Sequence, residues 1–317
     1  MKNYKEVVGI DVSKKTIDAY CYHGQAHKAF VNDLVGYKSL IKWVFKICKE
    51  APVFYCFENT GYYSLKLALY FSSQHIVYVE ESPLKIKRSS GIVKEKTDVL
   101  DACLIARYGW LYREELKPST VKSTSHLELG RLLALRDQIV RNNAGLKGTL
   151  KEMKVLLTSP TTDAGCISLK RSIEYLTKQV ISIEKRIKEI LSEDELMHKN
   201  YELLTSLKGF GLVVASQLIY HTGNFTRFDS WRAFSSYCGT APFEHRSGTS
   251  IHKRKQCHYL GDRKMKSLLS MASVSAIQHD SELRLYYNKK LAEGKDKMLA
   301  VNNVRNKLIA RAFAVVK

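Results

Sequence analysis

Four carboxylates near the start of the chain have the types and spacing to hold a divalent metal ion. Asp11 and Glu58 each follow a short apolar run, and Asp98 and Asp101 stand three residues apart. A separation of three places two side chains on one face of a helix. Mg²⁺ prefers carboxylate oxygens, and a pair of such ions stabilises the entering and leaving oxygens of a phosphoryl transfer. The set predicts a metal-dependent phosphoryl-transfer site.

Each of these acids also has a structural explanation. Asp98 and Asp101 could cap and charge the first turn of a helix, because carboxylates there interact favourably with the helix dipole. Asp11 could be a turn residue, and Glu58 a solvated strand end. For any one residue the structural explanation is favoured. For all four together, in the order of elements given below, the metal site is favoured.

Ser247 is a candidate nucleophile near the other end of the chain. A serine hydroxyl needs a base, a metal or surrounding cations to act as one. Basic residues crowd the same stretch, namely His245, Arg246, His252, Lys253 and Arg254. The alternative is a Ser-Gly turn whose flanking cations only hold phosphates, and the residues by themselves favour that alternative. Ser250 is the second choice for the nucleophile.

A Gly-aromatic-Gly turn, residues 209–211, stands between two apolar helical segments. Glycines allow a tight turn whose backbone amides can bind phosphate at the start of the next helix. The pattern is typical of a helix-hairpin-helix, although a plain turn between packed helices has a comparable pattern. The residues predicted to contact nucleic acid, here and in the basic stretch, are Lys208, Gly209, Gly211, Arg246, Lys253, Arg254, Lys255 and Arg263.

The composition limits the class of protein. The formal net charge is +20, and the segments 1–118, 119–199 and 200–317 carry +5, +4 and +11. A basic protein of this kind favours a polyanionic partner such as nucleic acid. The hydrophobic share of 45% excludes a disordered chain. With no apolar run of bilayer length, no signal peptide and no paired cysteine spacing, the sequence predicts a soluble, cytoplasmic protein without a membrane partner.

The elements that must position the acids follow from periodicity. The first third has the predicted order βββαβαβα, with strands at 7–10, 16–22, 28–31, 53–57 and 76–79 and a helix that opens near Asp98. Three antiparallel strands followed by alternating helices and strands predict a mixed sheet with helices on both faces. This is the order of a ribonuclease H-like fold. Sites in open α/β sheets form at strand ends, where Asp11 and Glu58 stand.

Two helices with a heptad pattern are predicted in the middle third, separated by a break at 158–165. One apolar seam contains Leu132, Leu135, Ile139, Asn142 and Leu146, and the other contains Ile173, Leu176, Val180, Ile183, Ile187 and Ile190. Asn142 is predicted as a polar core position that sets the register. The narrow seams and charged flanks favour a dimerising coiled coil over an intramolecular hairpin. The predicted domains are 1–118, 119–199 and 200–317.

Four motifs carry a resemblance to a known family. They are GIDVSK at 9–14, FENTGY at 57–62, KTDVLDA at 96–102, and Ser247 with the glycine after it, downstream of CGTAP at 238–242. In order and over nearly the whole chain, the sequence resembles the DEDD-type insertion-sequence transposases of the IS one-ten family, which includes the Piv-type DNA invertases. It departs from the family at 80–83, where Glu-Glu-Ser-Pro replaces the usual Asn-Pro step.

The resemblance implies an α/β N-terminal RuvC-like domain, an α-helical coiled-coil linker and a mainly α C-terminal transposase domain with a helix-hairpin-helix. It implies that Asp11, Glu58, Asp98 and Asp101 bind Mg²⁺ or Mn²⁺, and that Ser247 is essential for strand transfer. It further implies a structured guide RNA that pairs with donor and target DNA. Because recombination joins four strand ends, a homodimer or homotetramer is expected.

Three functions are therefore compared. The favoured one is a DNA transposase or site-specific recombinase of an insertion sequence that uses both the metal site and the serine. The alternative is a RuvC-like nuclease that cuts DNA with metal-activated water. A nucleic-acid-binding protein without catalysis would leave the four acids unexplained.

Overall fold

The computed structural model of the 317-residue chain describes residues 1, 3–49, 51–91, 95, 97–247 and 251–317. The chain divides into two compact units, Met1–Lys122 and Ser123–Lys317. The predicted domain 1–118 lies inside the first unit. The predicted segments 119–199 and 200–317 lie in the second, apart from residues 119–122, and their separation into two domains stays a prediction.

The first unit contains a five-stranded mixed sheet in the order β3-β2-β1-β4-β5. The first three strands are antiparallel neighbours, and β4 and β5 run parallel to β1. This agrees with the mixed sheet predicted from the alternating pattern. The strands are β1 Glu6–Val12, β2 Thr16–Cys21, β3 Ala26–Val31, β4 Val53–Glu58 and β5 Tyr78–Glu81.

Four helices belong to the first unit: α1 Leu34–Cys48, α2 Tyr62–Ser73, α3 Pro83–Ser89 and α4 Asp98–Leu111. Three were expected, and α3 was missed because its seven residues are too few to show helical periodicity. Pro83 at its first position explains why the helix begins there, since proline has no amide hydrogen to leave unpaired at that point. It lies where the chain departs from the Asn-Pro step of the family.

Helices cover both faces of the sheet, and each face buries its own core. One core contains Leu40, Phe57 and Leu67, all with no exposed surface, and the other contains Val7, Phe54 and Ile105. A sheet buried on both faces explains why β1 and β4 are nearly continuous apolar runs rather than alternating ones. The charged residues of these strands are therefore confined to their ends.

The second unit is mostly helical. Its helices are α5 Thr124–Leu156, α6 Ala164–Glu193, α7 Glu195–Thr205, α8 Leu212–Thr222, α9 Trp231–Tyr237, α10 Arg263–His279, α11 Ser281–Ala292 and α12 Lys297–Val316. A two-stranded hairpin, β6 Pro242–Ser247 and β7 Ile251–Cys257, lies between α9 and α10. None of the helices in the described part of the chain has the length and apolarity of a membrane span.

The long helices α5 and α6 pack against each other within one chain. Arg136 on α5 pairs with Glu184 on α6 at 2.7 Å, and Arg186 pairs with Glu128 at 2.9 Å. Ile187, in the predicted α6 seam, is 1% exposed. The structure thus contains the intramolecular hairpin that was the less favoured alternative, and a seam between chains stays a proposal.

The register residue of α5 was predicted one position too early. Asn142 is exposed, whereas Asn143 is buried and donates to the Thr177 hydroxyl at 3.1 Å. At 3.6 residues per turn, Asn143 lies about 40° around the axis from the buried Leu129, and Asn142 about 140°. The prediction assumed the 3.5-residue repeat of a coiled coil, and that repeat placed Asn142 instead of Asn143 on the inner face of α5.

Candidate active site

Asp11 and Glu58 come together at one edge of the sheet. The parallel pairing of β1 and β4 ends with Ile10 opposite Phe57, and the two acids are the next residue in each strand. Neighbouring parallel strands bring their carboxyl ends to the same edge. The sequence prediction that strand ends would gather these two side chains is consistent with this register.

Helix α4 brings Asp98 and Asp101 to the same edge. The helix begins at Asp98. Thr97 caps it, because the Thr97 hydroxyl accepts a hydrogen bond from the Leu100 amide at 3.2 Å. A Thr cap of this kind stabilises the start of a helix by about 1 kcal/mol. The cap therefore fixes the first turn of α4, which carries both acids.

The direction of α4 follows from two glycines at its contact with the sheet. A side chain at Gly9 would collide with the backbone of Ala102 and Ala106, whereas one on Gly109, later in the helix, would meet Val7 at 2.7 Å. The helix therefore runs antiparallel to β1, and its N-terminus lies over the carboxyl end of that strand. Gly9 is required because only a residue without a Cβ allows this approach.

The electrostatics of Asp11 indicate that the aspartates are close. Partial burial raises the pKa of the Asp11 carboxyl above its ordinary value, and the negative charges of Asp101 and Asp98 raise that pKa further. A carboxylate whose pKa is raised by other carboxylates carries a repulsion that a bound cation would relieve. The first unit thus collects like charges at one strand end.

The donor set suits a hard divalent cation, although its side chains do not form a ready-made ligand sphere. Carboxylate oxygens are the ligands of Mg²⁺ and Mn²⁺. Across the ranges that the structure describes, no three His, Cys, Asp or Glu side chains are grouped closely enough to hold one ion. Metal binding by Asp11, Glu58, Asp98 and Asp101 therefore stays a proposal.

Two further acids at this edge were missed in the sequence. Asp18 lies directly opposite Asp11 in the β1–β2 hairpin, is 8% exposed, and contacts the Nε2 atom of His27 at 2.9 Å. Glu81 pairs with Glu58 in the register of β4 and β5. Counting the hairpin register outward from its turn would have identified Asp18, because each antiparallel pair follows from the turn.

Glu81 differs from Asp11 because neighbouring side chains compensate its negative charge. Its carboxylate accepts a hydrogen bond from the Tyr108 hydroxyl at 3.1 Å, and Lys85 lies 3.1 Å from it. Asp18 likewise has His27 as a partner. These two acids are therefore candidates for supporting the edge rather than for binding a metal ion.

In the second unit, Ser247 is the last residue of β6 and pairs with Ile251 of β7. Arg246 pairs with His252, and His245 with Lys253, so the hairpin gathers the basic stretch on two strands. The second-choice nucleophile, Ser250, lies outside the described residues, as do the side chains of residues 245–247 and 251–255. The roles predicted for Ser247, Arg246, Lys253, Arg254 and Lys255 stay predictions.

The Gly-aromatic-Gly turn packs against a helix of its own unit. Gly209 has a φ of +93°, and a Cβ there would collide with the Ala272 carbonyl of α10. Phe210 is buried. Gly211 precedes α8 with open space where its Cβ would be, and Lys208 is exposed. Gly209 therefore has a packing role against α10, which is the alternative explanation of the motif. Contacts of Lys208, Gly209 and Gly211 with nucleic acid stay a prediction.

Comparison with known proteins agrees with this arrangement. A transposase model of the DEDD IS110 type matches residues 8–158, and a model described as transposase IS116/IS110/IS902 family matches residues 201–288. The first match spans all four acids of the sheet edge. The second spans the Gly-aromatic-Gly turn, the hairpin and Arg263.

Relatives match over different lengths. The pilin gene-inverting protein of Moraxella bovis is 26% identical over 99% of this chain and 96% of its own length, and that of Moraxella lacunata matches to the same extent. An insertion element IS110 protein of Streptomyces coelicolor is 29% identical over 50% of this chain and 38% of its own. With both transposase models matched in order along the chain, the protein belongs to the IS110 family of DEDD transposases.

Proposed function

We propose that this protein cleaves and exchanges DNA strands as the transposase or site-specific recombinase of an insertion sequence. Asp11, Glu58, Asp98 and Asp101 hold a divalent cation, Mg²⁺ or Mn²⁺, and Ser247 is the nucleophile. The observation that carries the proposal is the position of the α4 N-terminus over the end of β1, where burial and then the charges of Asp101 and Asp98 raise the pKa of Asp11. This part of the first unit resembles the RuvC-like fold.

The cation supplies charge neutralisation at the transferring phosphate when it is bound. The carboxylates of the chain hold it and orient the DNA phosphate beside it. The thermodynamic support is the like-charge repulsion at Asp11, which a divalent cation removes.

Ser247 forms the covalent link to DNA in this proposal. Its hydroxyl loses a proton as Oγ attacks phosphorus, one Oγ–P ester bond forms, and one bridging P–O bond of the backbone breaks. The leaving oxygen takes up a proton. The basic residues of the hairpin, among them Arg246, Lys253 and Arg254, stabilise the negative charge that develops on the phosphate. Lys208, Gly211, Lys255 and Arg263 contact the DNA backbone.

A covalent adduct is the decisive test of the serine. DNA carrying a donor end is incubated with the protein and Mg²⁺, and denaturing gels report protein–DNA adducts. The adduct is expected with wild type and with Ser250→Ala, and it is expected to be absent with Ser247→Ala. Cleavage without any adduct would instead identify the nuclease that uses activated water.

Metal binding can be tested without catalysis. Mg²⁺ or Mn²⁺ is expected to raise the melting temperature of the wild-type protein in a dose-dependent way, because a ligand that binds only the folded state stabilises it. Asp101→Asn should abolish that rise, whereas Glu115→Gln, which removes an exposed carboxylate from the loop after α4, should leave it unchanged. A rise that Asp101→Asn leaves intact would place the cation elsewhere.

Guide RNA and oligomer formation are also part of the proposal. The net charge of +20 is compatible with an RNA partner. RNA that copurifies with the protein is expected to be one structured species encoded beside the gene, and its sequencing would identify it. Loss of strand exchange after ribonuclease treatment, restored by adding that RNA, is the matching functional result.

The outer part of the α5–α6 hairpin is the proposed oligomer seam. Leu176 and Val180 are only half-buried within the chain, and the neighbouring Ile181 is 63% exposed. Leu176→Asp with Val180→Asp is expected to give a folded monomer that lacks activity, as measured by analytical ultracentrifugation. Ile187 is a poor choice for this test because it lies in the core of its own chain. An active oligomer of the double variant would disprove the seam.

A further inference from the structure

A cavity of about 630 Å³ lies in the second unit between the starts of α10 and α12 and the end of β7. Gln256 and Cys257 of β7 form one wall, and the first turns of the two helices form the others. The polar residues contributed by those helices are Arg263, Lys266, Ser267, Ser270, Asn302 and Arg305. The cavity is large enough for a nucleotide-sized ligand.

Arg305 is the unusual member of this set. Its side chain is 5% exposed, and its Nε atom has no hydrogen-bond partner. Among the described residues, its side chain makes one hydrogen bond, from Nη1 to the Asn302 amide oxygen at 3.1 Å. A guanidinium stays charged in proteins, and a buried charge is costly unless it is paired. The buried guanidinium of Arg305 therefore favours an anionic ligand in the cavity.

No carboxylate of the chain supplies that anion among the described residues that line the cavity. The nearest acids in sequence, Asp262 and Asp296, are engaged as helix caps. Asp262 accepts from the Met265 amide at 2.9 Å, and Asp296 accepts from the Met298 amide at 2.8 Å. Three cationic side chains thus line one space, and none of the described residues that line it is an acid.

The helices add to this positive potential. Lys266 lies in the first turn of α10, and the cavity is also lined by the first turns of α12. The N-terminus of a helix carries partial positive charge and favours phosphate. The helix ends alone would not define a site, but here they converge on the buried guanidinium of Arg305.

The wall of the cavity is held in place by an interior network. The Asn302 amide donates to the Thr240 carbonyl at 2.9 Å, and the Asn306 amide donates to the same oxygen at 3.1 Å. Thr240 in turn donates its hydroxyl to Asn306 at 2.9 Å. This network connects α12 to the segment just before the hairpin, so the cavity is preformed.

The position of the cavity favours DNA as the source of the anion. Cys257 and Gln256 pair with Pro242 and Phe243, so the cavity adjoins the base of the hairpin that carries Ser247. Ser247 lies five positions after Pro242, a span of about 17 Å along an extended strand. Exposed Met298 and half-exposed Leu299 line the cavity beside the cations, and they offer apolar surface to a sugar or base.

We propose that this cavity binds one backbone phosphate of the DNA strand on which Ser247 acts, with Arg305, Arg263 and Lys266 as its ligands. The proposal rests on the proposed function for the identity of the strand. The site belongs to the second unit and adjoins the base of the hairpin. It would set the position of the strand relative to the serine.

Binding measured by fluorescence anisotropy tests the proposal. The probe is a labelled single-stranded DNA 12-mer, compared with an RNA 12-mer of the same sequence and with inorganic phosphate as competitor. Arg305→Met should weaken DNA binding at least 10-fold, as expected for loss of a charge-assisted contact. It should also reduce the slope of log affinity against log salt concentration by about 1, as expected for the loss of one phosphate contact.

Matched variants separate the site from general charge. Lys307→Gln removes one positive charge two residues away on α12 and outside the cavity, so DNA affinity should change less than 2-fold. Ser267→Glu places a negative charge on the exposed rim and should weaken DNA binding like Arg305→Met. It serves as the second variant if Arg305→Met does not fold.

Stability without ligand gives an independent readout. Because Arg305→Met removes an unpaired buried charge, the variant should melt no lower than the wild-type protein in the absence of nucleic acid. Equal DNA affinities of Arg305→Met and Lys307→Gln would overturn the proposal. So would an effect restricted to RNA, or one restricted to inorganic phosphate. Failure of the wild-type protein to bind any DNA would overturn the proposed function as well.

Discussion

The two units of this protein collect charges of opposite sign, and they do so in different ways. At the edge of the first sheet, burial and the charges of neighbouring carboxylates raise the pKa of Asp11. In the second unit, Arg305 is buried without an acid among the described residues around it. Like charges held together cost stability unless a ligand of opposite sign binds them. The two clusters therefore support two proposed ligands of opposite charge, a cation in the first unit and a phosphate in the second.

The supports of the two clusters also differ. The acids are placed by backbone ends, because two strands and one helix terminate at the same edge. The cations of the second unit project from helix sides and reach a common space only because α10 and α12 pack together. The first arrangement depends on local register, and the second on tertiary packing.

The largest expected effect is on catalysis at the carboxylate edge. Asp11→Asn should lower recombination by about 10³-fold, since loss of a metal ligand removes several kcal/mol of transition-state stabilisation. The fold should remain, because the substitution relieves repulsion. A plasmid recombination assay with circular dichroism checks both, and Glu115→Gln should recombine at the wild-type rate. An unfolded Asp11→Asn protein would make Asp11 a structural residue.

The contact of α4 with the sheet should be sensitive to a single methyl group. Gly9→Ala should lower the free energy of unfolding by about 3 kcal/mol or more, because its Cβ collides with the backbone of α4. Gly145→Ala in α5 has open space and should raise that free energy by about 0.5–1 kcal/mol. Urea denaturation measures both, and a tolerated Gly9→Ala would mean that α4 is not seated on β1.

The two glycines of the 209–211 turn are expected to differ in their importance for stability. Gly209→Ala should destabilise the protein by about 2 kcal/mol, since φ is positive and α10 is in contact. Gly211→Ala should change stability by less than about 0.5 kcal/mol, because its Cβ meets open space. Thermal unfolding of the pair is the measurement. Equal losses of stability in the two variants would mean that both glycines have the same structural role in the turn.

Asp280 in the second unit contrasts with Asp11, because it has a cationic partner and a lowered pKa. Partial burial raises the pKa of its carboxyl, but the hydrogen bond from the Leu283 amide and the ion pair with Arg311 at 2.7 Å outweigh burial, so the net pKa is lowered. Asp280→Ala should cost about 1–2 kcal/mol, and Asp280→Asn less, because asparagine keeps the helix cap.

The pH dependence of Asp280 follows from the lowered pKa. Its contribution to stability is present above the ordinary value of 3.8 and is lost as pH falls through the folded pKa below it. The difference in melting temperature between wild type and Asp280→Ala should therefore shrink in acid. A difference that persists well below that range would assign the effect to packing.

The sequence by itself determined the order of the strands and of the longer helices in the first unit, and it placed the four acids at the ends of these elements. Apolar runs that end in an acid, and a Thr-Asp pair that begins a helix, are local patterns, so Asp11, Glu58, Asp98 and Asp101 could be assigned to element ends. The sequence did not reveal α3, because a seven-residue helix carries too little periodicity. Nor did it separate a hairpin from a coiled coil, since both use the same heptad seam.

Tertiary structure decided which residues these elements bury. Asn143 rather than Asn142 faces α6, Gly209 packs closely against α10, and Arg305 lines a cavity although its helix carries no motif. Each outcome depends on the surface that a distant segment covers. Burial is a property of the packed pair of elements, and a pattern within one segment does not contain it.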